Sequence, residues 1–238
     1  MERQEYTRET YPSFGKKYNG EKAIISLTSW KARINTVSKT LFSLVKQCPG
    51  FHIVLVLSEE EFPKMMNEMP ENLKVFMDNE LVEVLWVYKN YKSFKKVLFT
   101  MDKYRDVPVI SADDDCVYTC NYAEELYNTW LKNKTKCVSS KVYNKYGYIW
   151  TNGQCTLYAP YCFYNVGLKN IKLCFKFGFN DDAYIAGLYK RLKISCCAIN
   201  KLPLIFHTKV KPLSPDGNGA GYNAKKDITI FFKNIRLL

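Results

Sequence analysis

Apolar residues in the first half of this chain fall into short runs that alternate with stretches of helical spacing. Ala23-Ile24-Ile25-Ser26-Leu27-Thr28 is rich in β-formers and predicts a buried strand. The polar, basic loop Thr28-Ser29-Trp30-Lys31-Ala32-Arg33 follows, and then Val37, Leu41, Leu44 and Val45 recur on one helix face until Cys48-Pro49-Gly50 stops it. Phe51–Leu57 is almost wholly apolar, the pattern of a strand covered on both faces. This β-α-β order predicts parallel strands with a right-handed crossover. Beyond a polar stretch holding Pro63 and Pro70, Leu81–Val87 predicts a third strand, Ser93–Met101 a short helix and Val107–Ala112 a central strand.

The second half is patterned differently. Asn121 followed by Glu124 predicts a capping box, with Ala123, Leu126, Tyr127 and Trp130 as the apolar stripe of its helix. Residues 138–160 are β-like around the polar turn Trp150-Thr151-Asn152-Gly153-Gln154. Residues 179–189 predict a loop entering a helix, since Ile185, Leu188 and Leu192 share a face. Leu202–His207 predicts one more strand, followed by the Gly- and Asn-rich segment Pro215–Gly221. Residues 1–20 read as an extended arm. With no internal repeat and no Pro-, Gly- or Ser-rich linker, the 238 residues predict a single α/β domain.

Composition narrows the class. A hydrophobic fraction of 47% with 24% charged residues is that of a globular protein, and no apolar run approaches the roughly 18 residues that a bilayer span requires. The charged start Met1-Glu2-Arg3-Gln4-Glu5 has no apolar signal-peptide region, so a cytoplasmic location is expected. Nine cysteines, an odd number with Cys196 and Cys197 adjacent, speak against a disulfide framework. The lack of any C-x-x-C pair, with only His52 and His207, speaks against zinc. A formal charge of +12 predicts attraction to polyanions, but the lysines are dispersed, which disfavours a dedicated nucleic-acid role. Peripheral contact with an anionic membrane surface is the better-supported option, through the basic and apolar stretch Lys225–Leu238; packing of that stretch on the core is slightly favoured over it.

The candidate chemistry centres on Asp113-Asp114-Asp115, at the carboxyl end of the predicted central strand. Three adjacent anions repel one another unless water or a cation neutralises them. In an extended turn Asp113 and Asp115 share one side while Asp114 points the other way. That pair suits a hard divalent ion, Mg²⁺ or Mn²⁺, which keeps water and takes further ligands from a diphosphate. The loop at Thr28–Arg33 opens on the same sheet edge, where open α/β sheets bind ligands. Arg33 and Lys96 are candidates to meet phosphate. Asp181-Asp182 is a second acidic pair, either functional or an ordinary helix N-cap. His207 reads as a third metal ligand or a half-buried polar residue, and Gly153 as a close-approach point for a ligand or a simple turn.

Taken in order, Ile25-Ser26-Leu27-Thr28-Ser29-Trp30 with Arg33, Leu55-Val56-Leu57-Ser58 with Phe62-Pro63, Lys96, Asp113-Asp114-Asp115 and Asp181-Asp182 resemble the motifs of bacterial GT-A glycosyltransferases that build capsular or lipopolysaccharide glycans. The resemblance spans residues 23–192. It implies a Rossmann-like, mixed but mostly parallel sheet flanked by helices, with a nucleotide-sugar half at about residues 23–120 and an acceptor-side half at about 121–238. It further implies a nucleotide-diphosphate sugar donor, Mn²⁺ or Mg²⁺, and a glycan or lipid-linked acceptor. Thr28, Ser29 and Arg33 would surround the nucleotide, with Lys96 and Asp114 also on the donor side. Asp113 would lie near ribose or sugar, Asp115 would bind the metal with Asp113 and His207, and Gly153 would line the donor-sugar and acceptor pocket. Asp181 or Asp182 would be the general base of an inverting enzyme, or would position substrates in a retaining one. Two other readings stand beside this one: phosphoryl or nucleotidyl transfer by two metals, which could use the same aspartates, and a basic binding module for nucleic acid or anionic glycan in which tyrosine, 18 in number, and tryptophan stack on the ligand.

Overall fold

The computed structural model describes residues 10–47, 50–134, 137–173 and 180–199 and the backbone of 174–175 and 205–207. In chain order the elements are β1 (Ser13–Gly15), β2 (Ala23–Thr28), α1 (Val37–Val45), β3 (Phe51–Ser58), α2 (Glu71–Asp78), β4 (Glu83–Val87), α3 (Lys95–Lys103), β5 (Val109–Ser111) and β6 (Cys116–Tyr118). There follow α4 (Tyr122–Lys132), β7 (Cys137–Ser139), β8 (Val142–Lys145), β9 (Tyr148–Thr151), β10 (Thr156–Tyr158), α5 (Asp181–Arg191), β11 (Cys196–Ala198) and β12 (Ile205–His207).

Eight strands form one mixed sheet in the order β1-β4-β3-β2-β5-β10-β7-β11. Its central members β4, β3, β2 and β5 are parallel, and β10 enters antiparallel to both β5 and β7. Alternate residues of each strand serve opposite faces. Ile25, Leu27, Leu55, Leu57 and Trp86 pack with α1, α2 and α4, whereas Ile24, Val54, Val56, Leu85 and Val87 pack with α3 and α5. Every residue of β3 is therefore buried, as its unbroken apolar run requires. The result is a three-layer α/β sandwich with two apolar cores.

Several expectations change in detail. The N-terminal arm contributes β1, which pairs antiparallel with β4 through Ser13 and Leu85 and covers that sheet edge. α2 sits in the stretch read as polar; Leu73, Phe76 and Met77 supply its buried face just after Pro70, whose fixed φ suits a helix start. The central strand is shorter than Val107–Ala112, although bonds from Ile24 N–H to the Pro108 carbonyl and from Ala112 N–H to the Ser26 carbonyl extend its pairing at both ends. No capping box forms at Asn121: its Oδ1 accepts from the Thr119 hydroxyl, and Glu124 pairs with Lys22 at 2.6 Å. The Pro215–Gly221 segment and the Lys225–Leu238 stretch lie outside the described residues. Among the described residues no helix is long and apolar enough to cross a membrane.

Candidate active site

The chain leaves β2 through α1 to β3 on one side, while β5 lies on the other side of β2. Such a switch in strand order opens a crevice at the carboxyl ends of the two strands. Into it run Thr28-Ser29 from β2 and Asp113-Asp114-Asp115 from β5.

The three aspartates divide as the extended turn predicts. Asp113 and Asp115 are 36% and 25% exposed, against 5% for Asp114, so only the outer two face solvent appreciably. The Asp114 carboxylate accepts from Arg33 Nη1 at 2.7 Å and from the Ser29 hydroxyl at 2.6 Å. Burial pushes its pKa up, and Arg33 and Ser29 only partly offset this. Asp114, expected on the donor side, is thus turned inward and serves the protein's own loop. Arg33 and Ser29 are themselves buried, Arg33 reaching Asp115 at 3.1 Å, and the Thr28 hydroxyl donates to the Val56 carbonyl. The loop expected to surround a nucleotide therefore spends its polar side chains on holding its own shape.

α1 secures the acidic turn from below. Thr40 Oγ1 donates to the carbonyls of Asp114 and Cys116, Ser43 Oγ accepts from Tyr118 N–H, and Gln47 Nε2 donates to the Thr119 carbonyl. A helix chosen by its apolar stripe thus buries a polar stripe as well, because the turn's backbone groups need partners away from water. The Tyr118 hydroxyl accepts from Asp113 N–H at 2.7 Å and donates to the Gln154 carbonyl at 3.3 Å. Cys116 Sγ donates to Gln154 Oε1 at 3.4 Å, and burial raises its thiol far out of the reactive range. Tyr118 and Gln154 were not singled out by sequence; nothing in their local pattern marks them.

The second acidic pair joins the first through Lys96. Its ammonium donates to Asp113 at 2.6 Å and lies 3.7 Å from Asp181, at the start of α5. Burial would lower the Lys96 pKa, but Asp113 and Asp181 outweigh it and hold the group well above the usual lysine range. The ordinary N-cap reading of Asp181-Asp182 falls away, because Asn180 caps α5: its Oδ1 accepts from Ala183 N–H at 2.9 Å. Both aspartates occupy the first helical turn, where the positive end of the helix favours anions.

Asp182 is exposed at the start of α5, with its Oδ1 lying against Gly153. Partial loss of water on its protein side, then the adjacent Asp181 charge, pushes its pKa up to about 7, with Lys96 pulling the other way. Gly153 permits the arrangement: a Cβ there would stand 2.5 Å from Asp182 Oδ1.

The donor chemistry fits a divalent ion that takes one or two carboxylates from protein and the rest from phosphate and water. Asp113 and Asp115 are the more exposed carboxylates of the turn, facing Lys96 at 2.6 Å and Arg33 at 3.1 Å respectively; among the described residues no three histidine, cysteine or acidic side chains form a group that could hold a metal ion. The strand register sets His207 opposite Cys116, next to Asp115 in sequence, and its side chain lies outside the described residues.

No protein-family model matches this sequence, and no curated protein is similar to it. Among solved structures the chain is similar to the glycosyltransferase GlyE of Streptococcus pneumoniae TIGR4, with a TM-score of 0.51 and 14% identity. The match covers 91% of this chain and 60% of that one. The fold is thus one that a glycosyltransferase also has, and this chain spans about three-fifths of that enzyme's length.

Proposed function

We propose that this chain transfers a sugar from a nucleotide-diphosphate sugar to a glycan or lipid-linked acceptor in surface-polysaccharide synthesis. The observation that carries this is the Lys96 bridge, which brings Asp113 at the end of β5 and Asp181 at the start of α5 into one crevice. Asp113 and Asp115, with His207 as a third candidate, would hold Mn²⁺ or Mg²⁺, which when bound offsets charge on the diphosphate. Thr28, Ser29 and Arg33 shape the nucleotide-facing loop, and Lys96 supplies fixed positive charge near the departing diphosphate. Asp182 removes the acceptor hydroxyl's proton as that oxygen bonds to the anomeric carbon. The bond from that carbon to the diphosphate oxygen breaks on the opposite face, which is an inverting course. A lipid-linked acceptor would be met at the inner membrane face.

Screening UDP-, GDP- and dTDP-sugars for thermal stabilisation tests the donor assignment. One of them at 100 times its Kd is expected to add about 2.7 kcal/mol and several degrees of Tm. The shift should need Mn²⁺ or Mg²⁺ and be absent in Asp115→Asn. A flat response to every donor, with and without metal, rejects the proposal.

Gly153→Ala tests the placement of Asp182. Its methyl group would displace the Asp182 carboxylate, and a misplacement on the order of 1 Å costs roughly 100-fold in rate. Turnover should fall to that extent with donor-induced stabilisation retained; unchanged turnover would show that Asp182 need not sit against residue 153.

A further inference from the structure

A second cavity, of about 470 Å³, lies at the opposite end of the sheet from the aspartates. The topology fixes this separation. β5 runs toward Asp113, whereas β10 pairs with it antiparallel, Tyr158 opposite Val109, so the chain after β10 emerges at the amino-terminal edge. There Tyr161 N–H donates to the Arg105 carbonyl at 2.8 Å, and residues 161–169 close a wall against the end of α3.

The lining is a mixture with a definite chemical sense. Tyr161 and Tyr164 are 57% and 47% exposed and stand edge to face, with centroids 6.0 Å apart. The Arg105 guanidinium lies 5.0 Å from the Tyr164 ring centroid and donates to Asp102 at 2.9 Å; Asn165 and Lys169 add an amide and a further charge. The volume is that of a small-molecule site, roughly 300–1,000 Å³. An apolar ligand would strand the carboxylate, guanidinium, ammonium and amide, while a phosphate-rich ligand would meet Asp102. A sugar ring offers an apolar C–H face for tyrosine and a rim of hydroxyls for planar polar groups.

The wall is also held in a costly shape. Tyr161 and Asn165 both take left-handed backbone conformations, φ 58 and 59, which for non-glycine residues persist only where surrounding structure enforces them. Gly167 completes the enforcement: a Cβ there would come within 3.1 Å of Phe163 and 3.2 Å of Leu98, and its carbonyl accepts from the buried Tyr184 hydroxyl at 2.8 Å.

We infer that this cavity is a saccharide-binding site separate from the aspartate crevice, with Tyr161 and Tyr164 as stacking platforms and Asp102, Arg105 and Asn165 as hydroxyl partners. It needs no sugar transfer to exist, so its failure and that of the proposed function can be told apart. The test offers maltotriose, cellobiose, lactose, chitobiose, a hyaluronan tetrasaccharide and, as an apolar control, laurate to the full chain, read by saturation-transfer NMR and calorimetry. At least one saccharide should bind the wild type, weaken about tenfold in each of Tyr161→Ala and Tyr164→Ala, and remain unchanged in Asp115→Asn. Unfolding of both tyrosine variants at a Tm close to the wild type's shows that they fold, and nucleotide-sugar stabilisation, measured in parallel, reports on the aspartate crevice alone. Binding of laurate alone, binding of no saccharide, equal binding by the tyrosine variants, or loss in Asp115→Asn would each overturn the assignment.

Discussion

Asp182→Asn is expected to lower the rate of sugar transfer by roughly 10²- to 10⁴-fold, the usual contribution of a positioned general base. The wild-type carboxyl is held up to about 7 by partial desolvation and by Asp181. It has the basicity to accept a proton that an ordinary aspartate lacks. The wild-type kcat/KM should therefore rise with pH and level off above about 7, and the variant's residual rate should lose that limb. The same shift has a stability consequence of definite sign. A carboxyl whose folded pKa exceeds its ordinary value of 3.8 binds more protons in the folded state, so stability falls as pH rises from about 4 through about 7. The asparagine variant lacks that loss. Its Tm should exceed the wild type's at pH 8 and converge with it near pH 4, while donor-induced stabilisation is retained. A variant with full turnover, or with no change in the pH dependence of Tm, would remove Asp182 from the role of base.

Arg33→Met should cost about 3–5 kcal/mol of stability, as expected when one member of a buried ion pair is removed. Arg33 and Asp114 are each 5% exposed and 2.7 Å apart, and Asp115 lies 3.1 Å from the same nitrogen. The loss thus leaves one carboxylate buried without its cation and another without a neighbour's charge. The Ser29 hydroxyl alone cannot offset that. Urea unfolding gives the magnitude, and the double variant Arg33→Met with Asp114→Asn distinguishes cause: it should recover a large part of the loss, because the buried charge has gone too. A loss below about 1 kcal/mol for the single variant would mean that water reaches Asp114 and that the pair behaves like a surface one.

The alternation of the sheet was legible because hydrophobic patterning is local. β2 and α1 follow directly from their apolar spacing, and β3 from its unbroken run. What escaped was set by distant partners. β1 exists because β4 has an open edge, and α2 hid behind two prolines and a high density of polar residues. The polar side chains of Thr40, Ser43 and Gln47, beside the apolar stripe, bond the backbone of residues 114–119, some 70 positions away.

The site shows the same division. By itself the sequence determined that three aspartates end an apolar strand, that a basic loop ends another, and that a second acidic pair opens a helix, since each is a matter of neighbours in the chain. Only the tertiary structure decided what these groups do to one another. It turned Asp114 inward onto Arg33, set Lys96 between Asp113 and Asp181, and laid Asp182 against Gly153. Charge interactions depend on distance and on surrounding dielectric, and neither is written in residue order.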